Sequence, residues 1–271
     1  TSTAMMMLCL IPIGADVNYF LPHRINDGYG ISKKIVKRAS ANNYSLIITV
    51  DNGITANEPA TLAREKNIDL IITDHHRPQG NLPRAVAIVD ANQPECRYPY
   101  KDLAGVGIIF KIVSMIYDQK GLTLPDKVYE LLMLGTVADV APLTRENRFW
   151  VQFGLSKINK KRSHAINVLA RNSRLHKSRF DSLDIGFMLA PQINALGRLD
   201  DPRQAVEFLI SSDLQKVESI GSILGQLNEE RKKIDRRIYE DIEFAIVDKS
   251  IDLDHESGIM AASSDWPAGV I

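Results

Sequence analysis

Two hydrophobic periods share the first hundred residues. Ser45-Leu-Ile-Ile-Thr-Val50, Ile68-Asp-Leu-Ile-Ile-Thr73 and Ala85-Val-Ala-Ile-Val89 are short β-branched runs with little polar alternation, the pattern of strands covered on both faces. Ile31 to Ala41 and Ala56 to Lys66 carry apolar residues at helical spacing between them. Strands separated by single helices predict an α/β fold, a parallel β-sheet with helices on both faces. Upstream, Thr1 to Ile11 is apolar nearly all round and predicts a buried helix ending at Pro12, followed by a strand over Val17-Asn-Tyr-Phe-Leu21.

The strand pattern stops near residue 100. Leu103 to Tyr117, Pro125 to Val137, Glu146 to Ile158 and Pro202 to Ile210 read as helices that cap the α/β layer. From Asp213 to about Val247 a single amphipathic stripe runs through Val217, Ile220, Leu224, Leu227, Ile234 and Ile238. At about 1.5 Å per residue this helix reaches about 50 Å, which suits a connector between lobes. The pattern therefore gives one domain over residues 1–212, its α/β part about 1–100 and its helical part about 101–212, then a connector helix over 213–247.

Composition narrows the class. The chain has 271 residues, 45% hydrophobic and 24% charged, enough for a sizeable core and unlike a disordered chain. Lys+Arg 33 balance Asp+Glu 33, so no overall basicity draws the chain to phosphate. Cys9 and Cys96 stand in no ligand spacing, which argues against a disulfide framework or structural zinc and makes a reducing cytoplasm the default. The uncharged run Thr1 to Ala15 is too short to span a membrane, and no membrane association is expected. The start at Thr1 and the apolar run Trp266 to Ile271 at the other end both read as cut ends.

Chemistry gathers at two strand ends. Asp51 follows one strand in Thr49-Val-Asp51-Asn-Gly53, and Asp74-His75-His76 follows the next, 23 residues on from Asp51. If the strands are parallel neighbours, both clusters emerge at the carboxyl edge, where open α/β sheets bind ligands. Asp-Asn-Gly by itself is a common turn. Three adjacent polar side chains at the end of a buried strand are harder to explain structurally. Consecutive side chains on an extended backbone diverge, so one histidine is expected on a metal and the other toward substrate. Carboxylates with one imidazole suit Mn²⁺ or Mg²⁺ better than a closed zinc site.

Asp139, in Gly135-Thr-Val-Ala-Asp139-Val-Ala-Pro142, is embedded in apolar residues; if buried it needs a helix N-terminus, a cation or a metal. Asn194 and Arg198, in Pro191-Gln-Ile-Asn194-Ala-Leu-Gly-Arg198, suit a phosphate-donor set or, more simply, a loop and helix cap. Gly28-Tyr-Gly30 and Gly105-Val-Gly107 lack the third glycine of a dinucleotide fingerprint. Between Val151 and Phe180 eight cations, from Lys157 to Arg179, occur without an acidic residue. Such a run either tracks a phosphate backbone or is a solvated helical face.

Taken together these motifs resemble the DHH phosphoesterase superfamily, and within it the RecJ-type single-strand-specific DNA exonucleases. Val50-Asp-Asn-Gly53, Asp74-His-His76 and Gly135-Thr-Val-Ala-Asp139 are similar to the second, third and fourth family motifs. Arg24-Ile-Asn-Asp-Gly-Tyr-Gly30, Leu103-Ala-Gly-Val-Gly107, Pro142-Leu with Glu146-Asn-Arg148, and Asn194-Ala-Leu-Gly-Arg198 point to the RecJ branch, in family order from about residue 16 to 240. The resemblance implies a two-metal phosphodiester hydrolase, a 5′-to-3′ exonuclease on single-stranded DNA in recombination and repair. It implies that Asp51 bridges two divalent cations, Mn²⁺ or Mg²⁺, with His75 and Asp139 completing one. His76 would contact the scissile phosphate, Asp74 would orient the histidine pair, and Arg198 and Asn194 would bind DNA phosphate. A monomer is expected, and by resemblance alone a helicase and a single-strand-binding protein are partners.

Three departures bear on this. The first family motif, Asp-Tyr/His-Asp-x-Asp-Gly, is absent, and residues 248–271 look like the opening of the family's second catalytic domain, DHHA1. Gln192 stands where the family usually has Arg. The chain alone is therefore expected to bind metal weakly and to be nearly inactive. The competing readings are an oligoribonuclease or cyclic-dinucleotide phosphodiesterase of the same superfamily, and a non-catalytic DNA-binding scaffold.

Overall fold

Each β-branched run forms a strand: β1 (Leu46–Val50), β2 (Asp69–Thr73) and β3 (Ala87–Val89). They pair in parallel in the order β1-β2-β3, with Val50 opposite Thr73 and Thr73 opposite Val89. The computed structural model describes residues 1–22, 28–199, 202–248, 251 and 255–267, with 197–199 described by backbone alone. Arg24 to Asp27 of the Arg24–Gly30 motif therefore lie outside the described residues, as does the Arg198 side chain.

Alternate residues of the strands serve two interiors. Ile47, Leu70, Ile72 and Ile88 pack with Val36 of α2 (Lys33–Ala41) and with Ala60 and Ala63 of α3 (Asn57–Glu65). Ile48 and Val50 face the other way, against the large helical core. That core joins α1 (Ser2–Leu10), α4 (Gly105–Gln119), α5 (Asp126–Ala138), α6 (Arg145–Lys160), α7 (His164–Asn172), α8 (Ala190–Leu199), α9 (Arg203–Ile210) and the start of α10 (Leu214–Asp248). Leu131 to Leu134 of α5 are at most 2% exposed and form its centre. No helix among the described residues is long and apolar enough to cross a membrane.

Two expectations fail. Val17 to Leu21 pairs with no strand; Val17, Tyr19 and Leu21 are half-buried against the helical core, so packing on helices accounts for their apolar character. The Pro191–Arg198 segment is not a loop but lies within α8, entered through a π-helical stretch, Asp184–Leu189.

Gln192 explains why the chain can wind this way. Its amide, 1% exposed, reaches the carbonyls of Leu169 (2.8 Å) and Met188 (2.8 Å) and the Ser173 hydroxyl (2.7 Å). Its Oε1 accepts from Asn172, which also donates to the Gly221 carbonyl of α10. One side chain thus ties the π-helical stretch to α7 and, through Asn172, to α10, and it points into the core rather than toward a ligand. Gln192→Leu is expected to lower unfolding free energy by about 1–2 kcal/mol, because several buried hydrogen bonds are lost at once even though Leu169 O keeps Ser173 N, Met188 O keeps Ser173 Oγ and Asn172 keeps Gly221 O. Urea denaturation would show it, and a change within error would refute the assignment.

The long helix is confirmed, at 35 residues, or about 52 Å. Its buried residues, Val217, Ile220, Gly221, Leu224 and Asn228, all lie in the first half. A Cβ on Gly221 would overlap Val168 of α7, so glycine sets the close approach of these helices.

Candidate metal centre at the strand ends

The parallel ladder runs one residue past each strand. Asp51 N donates to Thr73 O at 2.9 Å and Asp74 N to Val89 O at 3.1 Å, which brings both aspartates to the carboxyl edge as the spacing predicted. Asp51 holds a left-handed backbone, φ 67°, a conformation that Asp tolerates better than most residues. Asn52 fixes the turn: its Oδ1 accepts from Ile31 N and its Nδ2 donates to Val50 O. Gly53, at φ 113°, has Thr49 Oγ1 only 3.0 Å from where a Cβ would stand, so the turn needs glycine.

Asp74 organises the histidines. It is 1% exposed; Oδ2 accepts from Ile54 N (2.9 Å), and Oδ1 faces His75 N (2.8 Å), His76 N (3.3 Å) and His76 Nδ1 (2.6 Å). One carboxylate thereby anchors both the Asp51 turn and the His75–His76 backbone. The His75 ring turns the other way, its Nε2 3.0 Å from Asp51 Oδ1 and 3.6 Å from Asp139 Oδ2. The histidines take different partners, as expected, but diverge less than expected. Their ring centroids are 4.4 Å apart, and ligand atoms of Asp51, His75 and His76 lie within 4.8 Å of one another.

Asp139 corrects an expectation. Its side chain is 39% exposed, and it caps the carboxyl end of α5. The apolar residues around it in sequence belong to the buried side of α5. A helix carboxyl end carries partial negative charge, so the position disfavours a carboxylate. Val140 follows at φ 55° and is 87% exposed, a strained backbone for a β-branched residue.

The electrostatics run in one direction. Burial lifts the Asp139 pKa above the ordinary carboxylate value and Asp51 adds to the rise, against His75 and His76. Burial pushes the His75 imidazole down, but Asp51, Asp139 and Asp74 together outweigh it and leave its pKa raised. Asp51 Oδ1 and His75 Nε2 are buried and, close as they are, make no hydrogen bond of acceptable geometry. Orphaned polar atoms of opposite preference, beside the Asp139 carboxyl with its raised pKa, fit a cation.

One participant escaped the sequence reading, and another was marked there only as part of a motif. Asp90 ends the third apolar run just as Asp51 and Asp74 end theirs, and that repetition was the available signal. It is 3% exposed, accepts from Asn92 N at 2.7 Å through Oδ1, and leaves Oδ2 without a partner. Burial raises its pKa, with Asp74 adding. Asn92 in turn donates to the His75 carbonyl at 2.7 Å. Gly105, which fails as part of a dinucleotide fingerprint, is needed for another reason: a Cβ there would stand 2.5 Å from Asp51 Cγ and overlap Oδ1.

A cleft of ≈ 480 Å³ opens beside His76, lined by Tyr29, Asn52, Ile54, Glu58 and Arg77 among others. Asn194 is exposed on α8 and, among the described residues, bonds to none of Asp51, Asp74, His75, His76, Asp90 and Asp139. Much of the basic run is internally paired: Lys157 with Asp126, Arg171 with Glu218, Lys177 with Asp184, and Arg162 on the carbonyls of Lys177 and Ser178. It is not a free phosphate track along its length.

The fold and this centre define an α/β protein with carboxylates and imidazoles converging at the ends of parallel strands. The chain belongs to the DHH family: the model of the DHH family, N-terminal domain, matches residues 1–136. It is 35% identical over 271 residues to the single-stranded-DNA-specific exonuclease RecJ of Bacillus subtilis (strain 168), covering 100% of this chain and 34% of that protein. The Escherichia coli (strain K12) protein of the same name is 33% identical over 287 residues, covering 100% of this chain and 49% of its own length. The chain thus spans about a third to a half of these relatives. A solved structure, exonuclease RecJ bound to manganese, superposes with TM-score 0.85 at 28% identity, over 99% of this chain and 66% of that one. RecJ from Thermus thermophilus in complex with Mn²⁺ matches with TM-score 0.82 at 26% identity, over 99% of this chain and 38% of that one.

Proposed function

We propose that this chain is the phosphodiesterase core of a divalent-cation-dependent exonuclease that degrades single-stranded DNA, 5′ to 3′, in recombination and repair. The observation that carries the reading is the Asp51–His75–Asp139 cluster, with Asp51 Oδ1 and His75 Nε2 buried and unsatisfied. Two carboxylates and one imidazole suit Mn²⁺ or Mg²⁺, and the manganese-bound solved relatives support that choice. By family resemblance two divalent cations would bind, held by Asp51, His75 and Asp139. Held there, a divalent cation supplies positive charge that polarises a phosphoryl oxygen and acidifies a water.

The protein's own groups do the positioning. His76 Nδ1 lies 2.6 Å from Asp74 Oδ1, which fixes the ring, and a doubly protonated imidazole would turn its Nε2–H to an oxygen of the scissile phosphate. Asp74 holds the histidine backbone at the same time. Arg198 and Asn194 of α8 supply further phosphate contacts. The setting is a cytoplasmic monomer that works with a helicase and a single-strand-binding protein.

The test is hydrolysis of 5′-labelled single-stranded DNA, the matching duplex and a dinucleotide by the full-length gene product with Mn²⁺. Mononucleotide release from the single strand is expected, falling about a hundredfold or more in His76→Ala. Preference for the dinucleotide, or Mn²⁺-dependent turnover that survives Asp139→Ala, would overturn the reading.

A further inference from the structure

The outward side of α6 carries chemistry that the strand-end cluster does not use. The buried residues of this helix are Asn147, Val151, Gly154 and Ile158, at steps of four, three and four, and they mark its core side. At about 100° per residue, Phe149 and Phe153 fall on the other side, and Phe149 is 57% exposed. Phe153 is half-buried, edge-on to Tyr129 at 4.9 Å with Lys157 Nζ 5.4 Å from its ring centre, so the solvent-facing ring is Phe149, and on an otherwise amphipathic helix it calls for a partner.

These rings are held in advance. Phe149 and Phe153 lie nearly parallel, 11° between planes with centroids 6.3 Å apart. Trp150 sets its edge against Phe149 at 4.8 Å, and Tyr129 stacks on Trp150 at 6.1 Å. Both ends of the aromatic stretch are basic. Arg145 and Arg148 precede it and Lys160 and Lys161 follow; all four are exposed, and among the described residues none has a carboxylate partner. The nearby acids are engaged, Glu146 by Lys111 and Tyr98, and Asp126 by Lys157.

Flat rings between free cations match a single nucleic acid strand, whose bases stack while its phosphates seek positive charge. An apolar protein partner would leave those four cations without counter-charge. The helix is about 24 Å long and starts six residues after Asp139, so its basic first turn lies within about 20 Å of the cluster. We infer that the outward face of α6 is a second contact for single-stranded DNA, with bases on Phe149 and Phe153 and phosphates against the flanking arginines and lysines. This rests on the nucleic-acid reading above.

The test is titration of the whole chain, carrying Trp266→Phe so that Trp150 is its one indole, with oligo(dT) and no added divalent cation. Trp150 fluorescence is expected to quench as anisotropy reports binding. Phe149→Ala with Phe153→Ala should weaken binding roughly tenfold per ring, with the far-ultraviolet circular dichroism spectrum unchanged at the temperature of the titration, and tyrosine at both positions should restore it. Lys160→Ala with Lys161→Ala should lower the slope of log affinity against log salt by about 1.4. If the parent chain binds oligo(dT) but the alanine pair binds equally well, or Trp150 stays silent, this inference falls and the exonuclease reading stands. If the parent chain binds no single strand at all, both fall. A self-associating parent whose dimer is lost in the alanine pair, with DNA affinity intact, makes the face a protein interface and overturns the proposal.

Discussion

Asp51→Asn is expected to lower Mn²⁺ affinity by at least about a hundredfold while leaving the melting temperature unchanged or higher. Asparagine has the same shape and accepts the left-handed backbone that Asp51 adopts. The exchange removes one charge and nothing else of consequence to packing. That charge now repels Asp139 and leaves Oδ1 buried without a hydrogen bond, so removing it relieves the metal-free fold. The same charge helps hold the His75 pKa up, so the imidazole pKa should fall in the variant. Paramagnetic resonance titration of Mn²⁺ against the chain, with calorimetry on the same samples, reads both quantities. Affinity within a factor of two of the parent would remove Asp51 from the ligand set.

Gly105→Ala should damage the centre from a residue that bears no ligand. At the first position of α4, alanine is the better helix former, so propensity argues for a gain. Space argues the other way and wins. The new Cβ would stand 2.5 Å from Asp51 Cγ, while at Gly107 the nearest obstacle is the flexible end of Leu103 at 3.2 Å. Displacing Asp51 should lower Mn²⁺ affinity about tenfold or more and cost about 1–3 kcal/mol of stability, whereas Gly107→Ala should do neither. A cycle with Asp51→Gly isolates the cause: truncating Asp51 should restore the stability of Gly105→Ala but not its affinity. If both alanine variants behave alike, the steric account is wrong.

The parallel sheet and the meeting of Asp51 with Asp74 were legible, because a buried strand reports itself as an unbroken apolar run and its end as the first charge. The same rule should have caught Asp90, which ends β3 in the same manner. It was obscured because Asp-Ala-Asn carries no motif. Val17 to Leu21 misled because burial against helices and burial in a sheet leave the same apolar signature over five residues. Asp139 misled through its neighbours: α5 is buried nearly all round until its last turn, and the charge marks where the helix leaves the core. The α8 helix was hidden by Gly197 and by two prolines at its ends, and Gln192 by the absence of any sequence sign that an amide will serve as a core bracket. Contacts between segments far apart in sequence, such as Gly105 against Asp51, left no periodic trace.

The left-handed Val140 beside Asp139, at a helix end that repels carboxylates, has an evolutionary consequence. A β-branched residue in the left-handed region beside a carboxylate at a helix carboxyl end makes this corner locally frustrated. Selection of this chain for thermal tolerance alone, in metal-free medium, would drift toward glycine at 140 and amides at 51 and 139. Each step would make a sturdier protein and, on the proposed reading, a weaker cation site. Val140, Asp51 and Asp139 would hold against that drift only where a cation has to be bound.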